Sequence, residues 1–209
     1  APRLAGDDIA AVAFSPNGLV AAAAGRDLKL WELASGESLG VLHGHTGRIS
    51  DVAIGRRLVA SASEDGTCKV WRLTDRGKPR ADLQGASAAM TTVCFSHDEN
   101  WLVSGDASGV LRLYHTDDYK LIDSWQAHSG PIVQVGFMPD TQLLVSAASD
   151  GSVRAWDNLD KKRARTQSDA VFDGNVPGLT SMAIAAKKQI LAVADSKGVV
   201  HLWQMPVAE

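Results

Sequence analysis

Six residues of this chain have the side-chain types that hydrolytic chemistry uses, and they come as two sets. His45, Ser61 and Asp65 form one; His128, Ser146 and Asp150 form the other. A serine, a histidine and a carboxylate can act as nucleophile, general base and orienting group when a fold brings them together. Their spacing points elsewhere. In both sets the serine stands four residues before the aspartate, and a tryptophan, Trp71 or Trp156, stands six residues after it. A catalytic site need occur only once, whereas this set recurs along the chain. The recurrence favours a structural role, and no enzyme activity is expected.

The elements that carry these residues form a repeat. From Gly44 to Leu73 the chain has three short apolar runs, Ile49–Ile54, Leu58–Ser63 and Cys68–Leu73, with turns between them. Asp65-Gly66 predicts a two-residue hairpin between the second and third runs. One aromatic position fixes the register: Trp31, Trp71, Tyr114, Trp156 and Trp203, at spacings of 40, 43, 42 and 47 residues. A period near forty residues is the mark of a repeat array. Units of about 7–44, 45–85, 86–127, 128–174 and 175–209 follow, with 1–6 as an additional outer strand. The first three units are each expected to hold four strands, near 9–15, 19–24, 28–33 and 38–43; 49–55, 58–63, 68–73 and 80–84; and 90–96, 101–106, 110–115 and 120–126. The fourth has them near 132–138, 143–148, 153–157 and 163–172, and the fifth has three, near 179–185, 190–195 and 199–205. Ala21–Ala24 has helix propensity but occupies a strand slot after Pro16-Asn17-Gly18, so a strand is expected there. A four-stranded antiparallel meander cannot bury both faces alone, and neighbouring units must stack on it. Radial stacking solves this and leaves only short, protected edges. Pro2–Gly6, ending Leu4-Ala5-Gly6 much as unit one ends Leu42-His43-Gly44, would complete the last sheet and latch a five-unit ring.

Composition narrows the function classes. The 209 residues are 45% hydrophobic and 22% charged, ordinary globular usage, and the formal net charge of −3 gives no general attraction to nucleic acid or anionic membrane. Cys68 and Cys94 fall inside strands and read as free thiols. No apolar run approaches the roughly 20 residues of a membrane-spanning helix. The start, Ala-Pro-Arg-Leu-Ala-Gly-Asp-Asp, resembles neither a signal nor a transit peptide. A soluble intracellular protein, cytoplasmic or nuclear, is expected. No phosphate-binding glycine loop and no metal-ligand spacing among the six histidines is found, so no cofactor, metal or small-molecule substrate is expected.

The recurring Gly-His, Ser, Asp-Gly and Trp-Asp positions resemble WD40 repeats. Unit four carries Ala127-His128, Ser146, Asp150-Gly151 and Trp156-Asp157; unit two carries Gly44-His45, Ser61, Asp65-Gly66 and Trp71-Arg72. The resemblance covers almost the whole chain. It implies an all-β propeller, with the five units forming either a closed ring or part of a larger, usually seven-bladed one. It also implies that His45, Ser61, Asp65 and Trp71, and likewise His128, Ser146, Asp150 and Trp156, form structural hydrogen-bond tetrads, indole to serine to histidine to aspartate. The donor and acceptor inventory suits that order, and such a buried network is favourable only when every member is satisfied. Unit three departs from it, with Ala86, Ser108 and Tyr114 at the His, Asp and Trp positions. Unit five has Asn175 and Lys197, and unit one keeps only Trp31. These three units are expected to rest mainly on apolar packing and to open first.

The same resemblance implies binding of other proteins on the face carrying the Gly-His loops and Asp turns. The positions carried over include Arg48, Ser50, Glu64, Thr91, Pro131, Val133, Ser149 and Thr180. Most are small, and Arg48 alone has a side chain common at interface hot spots. Trp101 and Trp125 sit in apolar strand slots and are expected in the core. A second feature is the basic segment Lys161, Lys162, Arg163 and Arg165. The expected function is a non-enzymatic interaction scaffold within a multi-subunit assembly. The alternative is an RNA-associated subunit that uses the basic segment.

Overall fold

The structure is a computed structural model, and it describes residues 9–75, 77–139, 142–157, 159, 170–171, 176–185 and 190–204. The first sheet is β1 (Ile9–Phe14), β2 (Leu19–Ala24), β3 (Asp27–Glu32) and β4 (Ser38–Leu42). The second is β5 (Ile49–Ile54), β6 (Leu58–Ser63), β7 (Cys68–Arg72) and β8 (Ala81–Leu83). The third is β9 (Met90–Phe95), β10 (Trp101–Asp106), β11 (Val110–His115) and β12 (Leu121–Gln126). The fourth is β13 (Ile132–Phe137), β14 (Leu144–Ala148), β15 (Val153–Trp156) and β16 (Ala170–Val171). The fifth is β17 (Leu179–Ala185), β18 (Ile190–Asp195) and β19 (Val200–Gln204). In each sheet the strands follow chain order as an antiparallel meander. The strand expected at Pro2–Gly6, and most of the one expected over 163–172, lie outside the described residues.

The alanine tract is a strand because of what surrounds it. Ala21, Ala22, Ala23 and Ala24 are all buried in β2 between β1 and β3. Burial on both faces and paired backbone on both sides outweigh helix propensity.

Contacts group the chain into two compact units, one ending at Val93 and one beginning at Cys94. In the first, Leu28, Leu30 and Leu42 of sheet one pack against Ile49, Val52, Ile54, Val59 and Trp71 of sheet two. In the second, Leu111, Leu113 and Trp125 of sheet three pack against Ile132, Val135, Leu144 and Trp156 of sheet four. There too, Val145 and Val153 of sheet four pack against Leu179, Met182 and Leu191 of sheet five. Each large aliphatic side chain buried this way contributes about 1.5–3 kcal/mol.

The opening strand of four sheets is bulged at one shared place, between Ile9 and Ala11, Ile49 and Asp51, Ile132 and Gln134, and Leu179 and Ser181. In two of them the residue after the bulge reaches the next sheet. Asp51 Oδ2 accepts hydrogen bonds from the Val93 N–H at 3.0 Å and from Thr92 Oγ1 at 2.9 Å. Gln134 Oε1 accepts one from the Met182 N–H at 2.8 Å. Val93 and Met182 hold the same register position, so one polar link is built once in each compact unit. Burial pushes the Asp51 carboxyl above the usual carboxylate range, against the hydrogen bonds it accepts.

Sheets three and five correct the expectation that they rest mainly on apolar packing. In sheet three Asp106, fully buried, accepts from Arg112 Nη1 at 2.7 Å, from the Ser108 N–H at 2.8 Å and from Ser108 Oγ at 2.6 Å. In sheet five Asp195 accepts from the Lys197 N–H at 2.8 Å and the Val199 N–H at 3.0 Å, with His201 Nε2 at 3.1 Å. The anchor is an aspartate at the strand end, two residues before the turn position of sheets two and four. Two core expectations also separate: Trp125 is buried, whereas Trp101 is half-buried with its ring edge-on to His115 at 5.3 Å. Cys68 is buried and Cys94 half-buried, both as free thiols.

Candidate functional site: the turn face and its buried network

In sheets two and four the turn between the second and third strands is wider than the two-residue hairpin expected at Asp65-Gly66. Ala62 pairs with Cys68, and the Gly66 N–H donates to Ser63 O at 3.1 Å. The extra residues let Asp65 point inward. Gly66 and Gly151 take φ of 80° and 84°, a left-handed conformation that a side chain would disfavour.

In sheet two His45 Nε2 lies 2.8 Å from Ser61 Oγ, and its Nδ1 lies 2.9 Å from Asp65 Oδ2. Asp65 also accepts from the Thr46 N–H at 2.9 Å and from Thr67 Oγ1 at 2.7 Å. The Trp71 indole N–H has no hydrogen-bond partner among the described residues, so this network ends at Ser61 and corrects the expected four-member chain. The Trp71 ring instead meets His45 edge-on at 6.0 Å.

Sheet four has all four members. Trp156 Nε1 donates to Ser146 Oγ at 2.8 Å, and Ser146 Oγ lies 2.7 Å from His128 Nε2. His128 Nδ1 is 2.9 Å from Ser152 Oγ and 3.4 Å from Asp150 Oδ1. Ser152 therefore carries the shorter link, and it donates to Asp150 at 2.7 Å. In sheet three Ser104 occupies the serine position, but its buried hydroxyl has no partner among the described residues. Ala86 and Tyr114 at the other positions supply neither an imidazole nor an indole.

The side chains of His45 and His128 are both 0% exposed. Burial pushes both imidazoles below their ordinary value, His128 to about 4, against the pull of Asp65 and Asp150. Burial would raise Asp150, but the bonds from Ser152 and Ser129 prevail and take it down to about 2. The histidines are thus neutral links in a sealed network. Nothing in this geometry presents the serine hydroxyl to a substrate.

Outside the network lie the carried-over binding positions. Arg48, Glu64, Pro131, Ser149 and Thr180 are exposed; Ser50, Thr91 and Val133 are half-buried. The backbone holds them side by side. Glu64 N–H donates to Arg48 O at 2.9 Å, Ser149 N–H to Pro131 O at 2.9 Å, and Ser196 N–H to Gly178 O at 2.8 Å. The basic residues Lys161, Lys162, Arg163 and Arg165 lie outside the described residues. Asp106, Arg112 and Asp195 were missed from the sequence. Their signal was legible: Asp-x-x-Gly at 106–109 and 195–198, each with a basic residue, Arg112 or His201, six positions after the aspartate.

The family description "WD domain, G-beta repeat" matches residues 36–72, 77–115 and 119–157, more than half of the chain. The chain is 28% identical to nucleoporin Nup37 of Drosophila melanogaster over 71% of its own length and 51% of that protein. It is 24% identical to apoptotic protease-activating factor 1 of Homo sapiens over 85% of its length and 14% of that protein. With autophagy-related protein 16 of Arabidopsis thaliana it shares 24% identity, over 93% of its length and 38% of that protein. Among solved structures, the computationally designed Ika8 protein superposes with a TM-score of 0.77 at 27% identity, over 94% of this chain and 58% of that one. The chain spans about half or less of the length of these curated relatives. The fold is all-β and of the propeller class.

Two outcomes test the network. Ser146→Ala leaves both the Trp156 N–H and His128 Nε2 without a partner and should cost about 2 kcal/mol or more, because each buried orphan costs roughly 1–3 kcal/mol. Ser104→Ala removes a hydroxyl that makes no bond among the described residues and should change stability by about 0.5 kcal/mol or less; urea melts of the two variants compare them directly. The second outcome concerns pH. A histidine held below its unfolded value leaves the folded state with fewer protons than the unfolded one. Stability present above about pH 6.5 is therefore lost as pH falls toward about 4, at up to roughly 1.4 kcal/mol per unit for His128. Melting between pH 7 and 4 should show this slope, and His128→Gln should flatten it.

Proposed function

The chain belongs to the WD40 family, and from that premise we propose that it is a non-catalytic protein-interaction scaffold, one subunit of a larger assembly. The observation that carries this reading is the division of labour on the turn face. The chemically capable residues, His45, Ser61, His128 and Ser146, are buried and spent on one another. The residues beside them, Arg48, Glu64, Pro131 and Ser149, are exposed on a backbone pinned by hydrogen bonds. A rigid rim with free side chains can bind a partner at low entropic cost. The relatives' names agree with this coarse class, since one is a nucleoporin and another an activating factor. An intracellular setting, cytoplasmic or nuclear, fits the nucleoporin likeness. The RNA-associated alternative rests on Lys161, Lys162, Arg163 and Arg165, and no described residue adds to it.

Arg48 and Glu64 are the charged pair of that rim and the place to test it. Immobilised chain should retain a defined set of proteins from a cell extract, identified by mass spectrometry. The double variant Arg48→Glu with Glu64→Lys, unchanged in melting temperature, should lose most of that set. Retention of the same proteins at the same yield would place binding elsewhere.

A further inference from the structure

At the end of sheet two away from Asp65, arginines gather. Arg56 and Arg57 form the turn between β5 and β6, and Arg72 closes β7; all three are exposed. The backbone sets them together. The Leu73 N–H donates to Arg57 O at 2.9 Å, and Leu58 pairs with Arg72. The Arg57 and Arg72 backbones are therefore neighbours on adjacent strands, roughly 6 Å apart. The Asn17 side chain donates to Arg56 O at 3.2 Å and fixes this turn from sheet one. All of these residues belong to the first compact unit. The other sheets supply a baseline. At the position of Arg57, sheets one, three and four have Gly18, Asn100 and Gln142; at that of Arg72 they have Glu32, His115 and Asp157. Of these four sheets, the second alone has arginine at both. The Arg57 and Arg72 guanidinium groups make no ion pair among the described residues. The acids at this end of sheets one and two are engaged locally: Glu32 accepts from Ser35 Oγ at 2.6 Å, and Asp75 from Thr74 Oγ1 at 3.5 Å. Crowded like charges repel, so folding gains nothing from them.

We propose that this end of sheet two binds an acidic polypeptide segment, a run of aspartates or glutamates in a partner protein. Charge complementarity recommends it. Each guanidinium offers a planar fork that matches a carboxylate bidentately. The cations are rooted side by side on two strands and do not converge on one point, which suits several single charges in a row rather than one phosphate. A single-stranded nucleic acid stacks its bases on aromatic rings. The Trp71 ring beside Arg72 is 1% exposed and offers no face to a base. This surface is distinct from the rim of Arg48 and Glu64, which lies at the other end of the same strands.

The test is fluorescence anisotropy of a labelled peptide of about ten glutamates titrated with the 209-residue chain at low salt, where exposed charges are least screened. The peptide should bind, and the double variant Arg57→Glu with Arg72→Glu should weaken it by about tenfold or more. Both positions are exposed, so this variant should keep the parental circular dichroism and melting temperature. Arg57→Gln with Arg72→Gln, which removes the charges without reversing them, should weaken binding in the same direction and by less. The rim variant Arg48→Glu with Glu64→Lys should bind the peptide as the parent does, so the outcome is independent of the rim. Absence of binding by the parent, or parental affinity in the Arg57 and Arg72 variants, would overturn the proposal. Loss in the rim variant alone would move the peptide to the turn face and overturn it too. Equal or tighter binding of an oligouridine of the same charge would overturn the assignment to an acidic polypeptide in favour of nucleic acid.

Discussion

Everything in this fold depends on the fact that an antiparallel sheet of short strands has two apolar faces and cannot cover either by itself. The strands show it in their burial. All of Leu144–Ala148 in β14 is buried, with a neighbouring sheet on each side, whereas burial alternates residue by residue along β18. Small residues such as Ala21 and Ala23 let sheets approach, and large ones such as Leu28, Leu113 and Trp156 fill the space between. Stability is a sum of contacts between successive sheets.

Polar groups enter this scheme only where they can be satisfied, and the chain satisfies them in two ways. Sheets two and four use an aspartate inside the turn, Asp65 or Asp150, joined to a buried histidine and serine. Sheets three and five use an aspartate at the strand end, Asp106 or Asp195, joined to a basic residue on the next strand. Both devices fix the same turn, and the turn presents the exposed rim. Conserving the geometry does not require conserving the network. The pair Asp106 and Arg112 is costly to break, since removal of one leaves the other charged and buried.

Much of this was legible in the sequence. The aromatic period, the apolar runs and the turn residues located eighteen of the nineteen described strands to within a residue or two, because register and hydrophobic alternation are local signals; of the strand expected over 163–172 only Ala170–Val171 is described. The His, Ser, Asp and Trp positions were legible for the same reason. The failures are equally physical. The Trp71 indole finds no hydrogen-bond partner among the described residues, because indole orientation depends on how the sheets settle, not on spacing. Asp106 and Asp195 depart from the repeat because they stand at the strand end, two residues before the turn position that Asp65 and Asp150 fill. Trp101 seemed a core residue by its slot, yet the end of a strand is also the rim of a sheet. The binding partner is not legible, for the exposed rim residues are small and their chemistry is general.

The most direct measurement of the account is amide hydrogen exchange on the chain, comparing β6 and β14 with β18. All three strands are paired on both sides, so backbone hydrogen bonding is matched and only face coverage differs. The account expects the amides of Leu58–Ser63 and Leu144–Ala148 to exchange markedly more slowly than those of Ile190–Asp195. Equal protection in the three strands would contradict it, and would mean that coverage by neighbouring sheets is not what holds this fold.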